Sequence, residues 1–153
     1  MQPVPIFREF LSYWLPPLLG MTAILGLSGD LGSSSNTLVL VQWLLSWIPF
    51  LGPAQIEMIH GLLRKGGHML SYGLLYFLWF RAFQGHLGFG RVKAFLWALT
   101  LCLLVATMDE GHQSLLASRR GSFEDVALDM AGSTLAAVIT PLLWSPPGKI
   151  LLP

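Results

Sequence analysis

The chain has 153 residues, 54% of them hydrophobic and only 11% charged, against roughly 25% charged in an ordinary globular domain. With a mean hydropathy of +0.62, it cannot cover a soluble surface. Nine Lys+Arg against eight Asp+Glu form no basic tract, which excludes nucleic acid as a partner, and the single cysteine, Cys102, excludes a disulfide scaffold.

What remains is an all-α, polytopic membrane bundle, because a chain in lipid satisfies its backbone only in helices or closed barrels and these runs lack barrel alternation. A spanning helix needs about 20 mostly apolar residues. The first predicted span is 10–28, bent at Pro16 and Pro17. Arg8 ahead of this run is compatible with a secretion signal, but the proline pair, the length and the poor cleavage site favour a retained span. Residues 38–51 are apolar except Gln42 and Ser46, and are bracketed by Ser33-Ser34-Ser35-Asn36 and by Pro49, Gly52 and Pro53. They are short for a span and read as an interfacial or re-entrant helix with Trp43 and Trp47 at headgroup level. A second short amphipathic helix over 56–63 extends this interfacial segment to 38–63. Three more spans are expected over 65–83, 92–114 and 123–144, the last with Pro141 near its end. That makes about four spans in a single domain covering 1–153. The connection holding Arg81, Arg91 and Lys93 carries no acid, which puts it and both termini on the cytoplasmic side.

The ionisable residues then gather at the other face. Arg64, Lys65 and His68 open the second span. Asp109, Glu110, His112 and Gln113 close the third. Arg119, Arg120, Ser122, Glu124, Asp125 and Asp129 lie in the connection and the start of the fourth. Arg64, His68, Tyr72 and Tyr76 recur every four residues and form one helical stripe. Asp109 and Gln113 are also four apart, and Asp125, Asp129 and Ser133 share a face beside the small pair Gly132 and Ala136. Three polar stripes on adjacent helices enclose a pocket, and intramembrane ionisable groups are candidate functional sites by default.

Each signal has a plainer reading. Ser122 and Asp125 fit a capping box, and Glu124 and Asp125 suit the helix dipole, though Asp129 lies beyond that first turn. Asp109 and Glu110 need cations, supplied by Arg64, Lys65, Arg119 or Arg120, so the cluster also reads as an ion-pair network tying helices together. His68 reads equally as a structural histidine or a proton-transfer group. His60 and His86 look like ordinary interface residues, and Cys102 like core packing. Asp109-x-x-His112 has the spacing of helical carboxylate metal sites. A second such pair is absent and the arginines would repel a cation, so no metal and no cofactor is expected. No serine or cysteine has a nucleophile's context.

Arg64-Lys65-Gly-Gly-His68-Met-Leu-Ser-Tyr72, then Asp109-Glu110-Gly-His112-Gln113, then Arg119 or Arg120, then Asp125-x-x-x-Asp129-x-x-Gly132 resembles the VanZ-like family. These are small bacterial membrane proteins named after a teicoplanin-resistance protein. The likeness covers roughly 56–137. By position, Lys65, His68, Tyr72, Asp109, Glu110, Gln113, Arg119 and Asp125 match its motif residues. Asp129 stands where the family often has Asn, and the usual Pro-Gly before the arginines is missing. The resemblance implies a multi-pass bacterial inner-membrane protein with its motif residues near the outer face and a role at the cell envelope. It supplies no settled reaction.

The resulting expectation is a site for an amphipathic envelope molecule, such as a lipid-linked precursor or glycolipopeptide. Arg64, Lys65, Arg119 and Arg120 would hold its anionic head. His68, Asp109 and Glu110 would bind polar groups or move protons, with Tyr72, His112, Gln113, Asp125 and Asp129 lining the site. The second to fourth spans would open laterally to its tail. The alternatives are a proton-coupled transporter or flippase and a non-catalytic structural partner. The residues do not separate an enzyme from a binder, nor do they set the oligomeric state.

Overall fold

A computed structural model describes residues 6–116 and 122–144. Among these the chain is wholly helical: α1 (Ile6–Tyr13), α2 (Leu15–Leu27), a 3-10 turn (Asp30–Gly32), α3 (Ser34–Leu45), α4 (Pro53–Gly85), α5 (Arg91–Ser114) and α6 (Phe123–Leu143).

α1 and α2 meet at a 45° bend. Pro16 and Pro17 have no N–H to give to the carbonyls of Ser12 and Tyr13, so the ladder opens there. The Arg81 guanidinium donates to the freed Ser12 carbonyl and lies over the Tyr13 ring, 5.2 Å from its centroid. α3 starts at Ser34, earlier than the apolar run suggests, because the Ser33 hydroxyl caps it by accepting from Asn36 N–H at 3.4 Å. It buries no residue of its own, and Val39, Leu40, Trp43 and Leu44 stay exposed.

The largest departure from expectation is α4. Residues 56–63 are not a separate interfacial helix; they are the first turns of one continuous helix that also contains 65–83. Gly66 and Gly67 each weaken the helix by about 1 kcal/mol relative to Ala. No proline or side-chain cap interrupts the ladder there, and leaving backbone groups unpaired in an apolar medium costs more. Pro53 starts the helix, where its missing N–H needs no partner. At roughly 1.5 Å per residue α4 is about 50 Å long. Gly88, with φ 65°, turns the chain into α5.

Two helices, α5 and α6, are long and apolar enough to cross a membrane, and a third crossing exists if the bent α1–α2 pair is one span. The expected count of about four is not confirmed by length and composition: Glu57, Arg64, Lys65 and Arg81 punctuate α4, and its apolar stretch between the charges is short.

α4 packs chiefly on α6 and α5, which also pack on each other, while α2 lies against α4. The α4–α6 crossing is close because small residues meet. A Cβ on Gly132 would overlap the Met69 backbone, and one on Gly73 would lie 3.2 Å from the Gly132 carbonyl. The Ser133 hydroxyl donates to the Tyr72 carbonyl at 3.3 Å across this contact. One end of the bundle is an aromatic core. Tyr76 and Phe80 stack, Trp79 and Phe83 stack, and Trp14 meets the latter pair edge-on. Cys102 is buried in the same core.

Candidate functional site

One or more turns nearer the α4 N-terminus the packing changes from aromatic to polar. His68 on α4 and Asp129 on α6 meet at 3.0 Å, Nδ1 to Oδ1. Asp129 is fully buried, and His68 keeps 23% of its side chain exposed. On α5, Gln113 Nε2 donates to Asp109 Oδ2 at 3.0 Å, the pairing that their four-residue spacing allows. Asp109, Glu110 and Gln113 are all buried, and one carboxylate oxygen from each of Asp109, Glu110 and Asp129 lies within 4.8 Å of the other two.

Glu110 is fixed by the start of α6. Ser122 caps that helix, its hydroxyl accepting from Glu124 N–H at 3.1 Å. In a capping box the backbone N–H of the cap is taken by an acid three residues on. Here Glu110 of α5 takes it, with Ser122 N–H donating to Oε2 at 2.6 Å. The cap thus ties two helices together and orients a buried carboxylate. The spacing in the sequence pointed to Asp125 for this role; nothing local could point to Glu110.

Tyr72 puts its ring in the core, 1% exposed. Arg64 donates to the Gly32 carbonyl at 3.0 Å and to the Thr37 hydroxyl at 3.4 Å, so its guanidinium braces the 3-10 turn and α3. His60 does the same from one turn earlier. It is buried, and its Nε2 lies 2.9 Å from the Thr37 hydroxyl, a docking role its sequence context did not signal. Burial, with Arg64 adding to it, lowers the His60 imidazole below its ordinary value.

A cavity of about 340 Å³ opens beside these groups. Its apolar wall comes from Gly20, Ala23, Ile24 and Leu27 of α2 and from Leu74, Leu75 and Leu78 of α4. Its polar end holds Arg64, His68, Tyr72, Asp109 and Gln113. The opening expected between the second to fourth predicted spans thus lies between α2 and α4 instead. The α2 residues that line it, Gly20, Ala23, Ile24 and Leu27, carry no polar signal in the sequence. A second cavity, about 420 Å³, lies on the α3 side and is lined by Glu57, His60, Arg64, Lys65, His68 and Asp125.

The structure therefore brings His68, Tyr72, Asp109, Glu110, Gln113 and Asp129 together, with Arg64 between the two cavities. Lys65 and Asp125 belong to the second cavity only. His112 is exposed and lines neither. Arg119 and Arg120 lie outside the described residues.

The chain matches the VanZ/LLP1 family over residues 17–144, most of its length, and belongs to that family. No curated protein and no solved structure matches it at a significant level.

Proposed function

We propose that this VanZ-family protein binds, at the cell envelope, an amphipathic molecule whose tail lies in the α2–α4 groove and whose polar head meets His68, Tyr72, Asp109 and Gln113. The observation that carries this reading is the groove itself: one continuous surface runs from aliphatic side chains to titratable ones. A soluble substrate has no use for the aliphatic wall, and an ordinary lipid has no use for the buried acids. In this reading α4 also crosses the membrane. Residues 66–80 carry no Asp, Glu, Lys or Arg, and Lys65 and Arg81 reach for the two interfaces from its ends. The polar end then faces the extracytoplasmic leaflet of a bacterial inner membrane, where Arg64, which lines that end while bracing Gly32 and Thr37, is the cation nearest an anionic head such as that of a lipid-linked precursor. Glycopeptide resistance is the family-level role consistent with it. A proton-transport reading draws no support from the other half of the bundle, where packed rings occupy the place of a relay.

The test uses the full chain in lipid nanodiscs with a fluorescent polyprenyl phosphate as probe. Ala23→Trp plugs the groove, whereas Leu19→Trp points outward from the same helix, where Leu19 is 58% exposed. Binding lost in Ala23→Trp and in His68→Ala, but kept in Leu19→Trp, is the expected result. Equal binding by all three removes the groove from the function.

A further inference from the structure

Asp109, Glu110 and Asp129 are residues at most 6% exposed, and each has one carboxyl oxygen held by a donor: Gln113 for Asp109, the Ser122 backbone for Glu110, His68 for Asp129. The other oxygens, Asp109 Oδ1, Glu110 Oε1 and Asp129 Oδ2, are buried with no hydrogen-bond partner among the described residues. An orphaned buried acceptor costs about 1–3 kcal/mol, more when charged, and here three stand together. Among the buried groups outside the acidic set that share this condition, one lies near the acids. The Tyr72 hydroxyl is buried and unpartnered among the described residues, within electrostatic reach of all three acids.

Proximity fits a shared ligand. One oxygen from each acid lies within 4.8 Å of the others, the span of two ligands at roughly 2.4 Å on opposite sides of one ion. The donors already present have the character of an outer shell, each fixing a carboxylate that keeps its second oxygen for something else. Among the described residues, the one basic side chain within ion-pair distance of any of the three acids is His68, while Arg64 is turned to Gly32 and Thr37.

We propose that Asp109, Glu110 and Asp129 bind one divalent cation of the hard, oxygen-preferring class, Mg²⁺, Mn²⁺ or Ca²⁺. The all-oxygen donor set selects that class over the softer metals, and Cys102 is packed in the core instead. The pair that sequence spacing offered, Asp109 with His112, is not the set used, because His112 is exposed while Asp109 is buried. Asp109 and Tyr72 also line the α2–α4 groove, so the remaining coordination positions fall to water or to oxygen atoms of a groove ligand. The cation site stands whether or not that ligand exists.

The full chain, stripped with EDTA and placed in zwitterionic phosphatidylcholine nanodiscs, is titrated with Mn²⁺ and followed by the loss of the free-ion electron paramagnetic resonance signal. The expected result is saturable binding of one Mn²⁺ per chain, displaced by Mg²⁺ or Ca²⁺. Asp129→Asn and Glu110→Gln weaken it by at least about tenfold. Glu57→Gln, which alters an exposed acid on α4, leaves it unchanged. Absence of saturable Mn²⁺ binding to the unaltered protein overturns the proposal without reliance on any variant. So does binding that survives in folded Asp129→Asn and Glu110→Gln, or that is lost equally in Glu57→Gln.

Discussion

At Gly132 there is no room for a side chain: a Cβ would overlap the Met69 backbone at the α4–α6 crossing. Gly132→Ala therefore pushes the two helices apart and separates His68 from Asp129. Overpacking of this kind costs roughly 1–3 kcal/mol, so a fall in thermal unfolding midpoint in detergent is the expected outcome. Gly66 is the matched control. It sits inside the same α4 with nothing near its missing Cβ, and Gly66→Ala adds up to about 1 kcal/mol of helix propensity and so raises the midpoint. A second residue-level prediction concerns the shared cap. Ser122→Ala removes the bond from Glu124 N–H but keeps the backbone N–H that Glu110 accepts. It costs about 1 kcal/mol of stability and leaves the position of Glu110 unchanged, whereas Glu110→Gln leaves the cap's hydroxyl bond in place and alters the site.

Among the elements, α3 is lightly secured. It buries nothing of its own and is held to α4 through Thr37, which meets both His60 and Arg64. The sign of its pH dependence follows from His60. The folded state lowers the imidazole's pKa while the undocked state titrates near its ordinary value, so the undocked state binds more protons as acid is added. Docking is complete above the ordinary histidine range and weakens as the pH falls through it toward the lowered folded value. Protection factors over 34–45, corrected for the intrinsic pH dependence of amide exchange, should fall between neutral and mildly acid pH, and His60→Gln should flatten that response. The elements also show what the sequence could express. α5 and α6 fall almost where their apolar runs and the Ser122 cap place them, because both signals are local. α4 does not, since Arg64, Lys65 and His68 break its hydropathy without breaking its hydrogen bonds. The meeting of His68, Asp109, Glu110 and Asp129 was readable from spacing on three antiparallel helices. The Glu110–Ser122 bond and the α2 wall were not, because the first depends on a backbone group of another element and the second is made of residues with no polar signal.

For the whole molecule, the composition and the surface describe the same solvent. Only 33% of the apolar windows of α5 and of α6 is buried inside the molecule, so their other faces point outward as apolar surface. Leu96, Leu104, Val138 and Leu142 are among the exposed residues, and a patch of that extent on a monomer in water would drive association. The polar groups, by contrast, turn inward to His68, Asp109 and Asp129, the arrangement that a hydrocarbon surrounding favours. The two solvents make opposite predictions for one substitution. Val138 is 65% exposed on α6, so Val138→Arg displaces no packed neighbour. On a water-facing surface it improves solubility and leaves folding intact. On a lipid-facing one it adds a charge whose cost, roughly 2.5–3.5 kcal/mol at the middle of a spanning helix, is the upper bound for this position five residues from the centre of α6. The expected outcome is a reduced membrane-inserted fraction for Val138→Arg in a glycosylation-mapping insertion assay, with Val138→Leu unchanged. Equal insertion of the two would place that face of α6 outside the bilayer and leave the inward-turned acids without the surroundings that explain them.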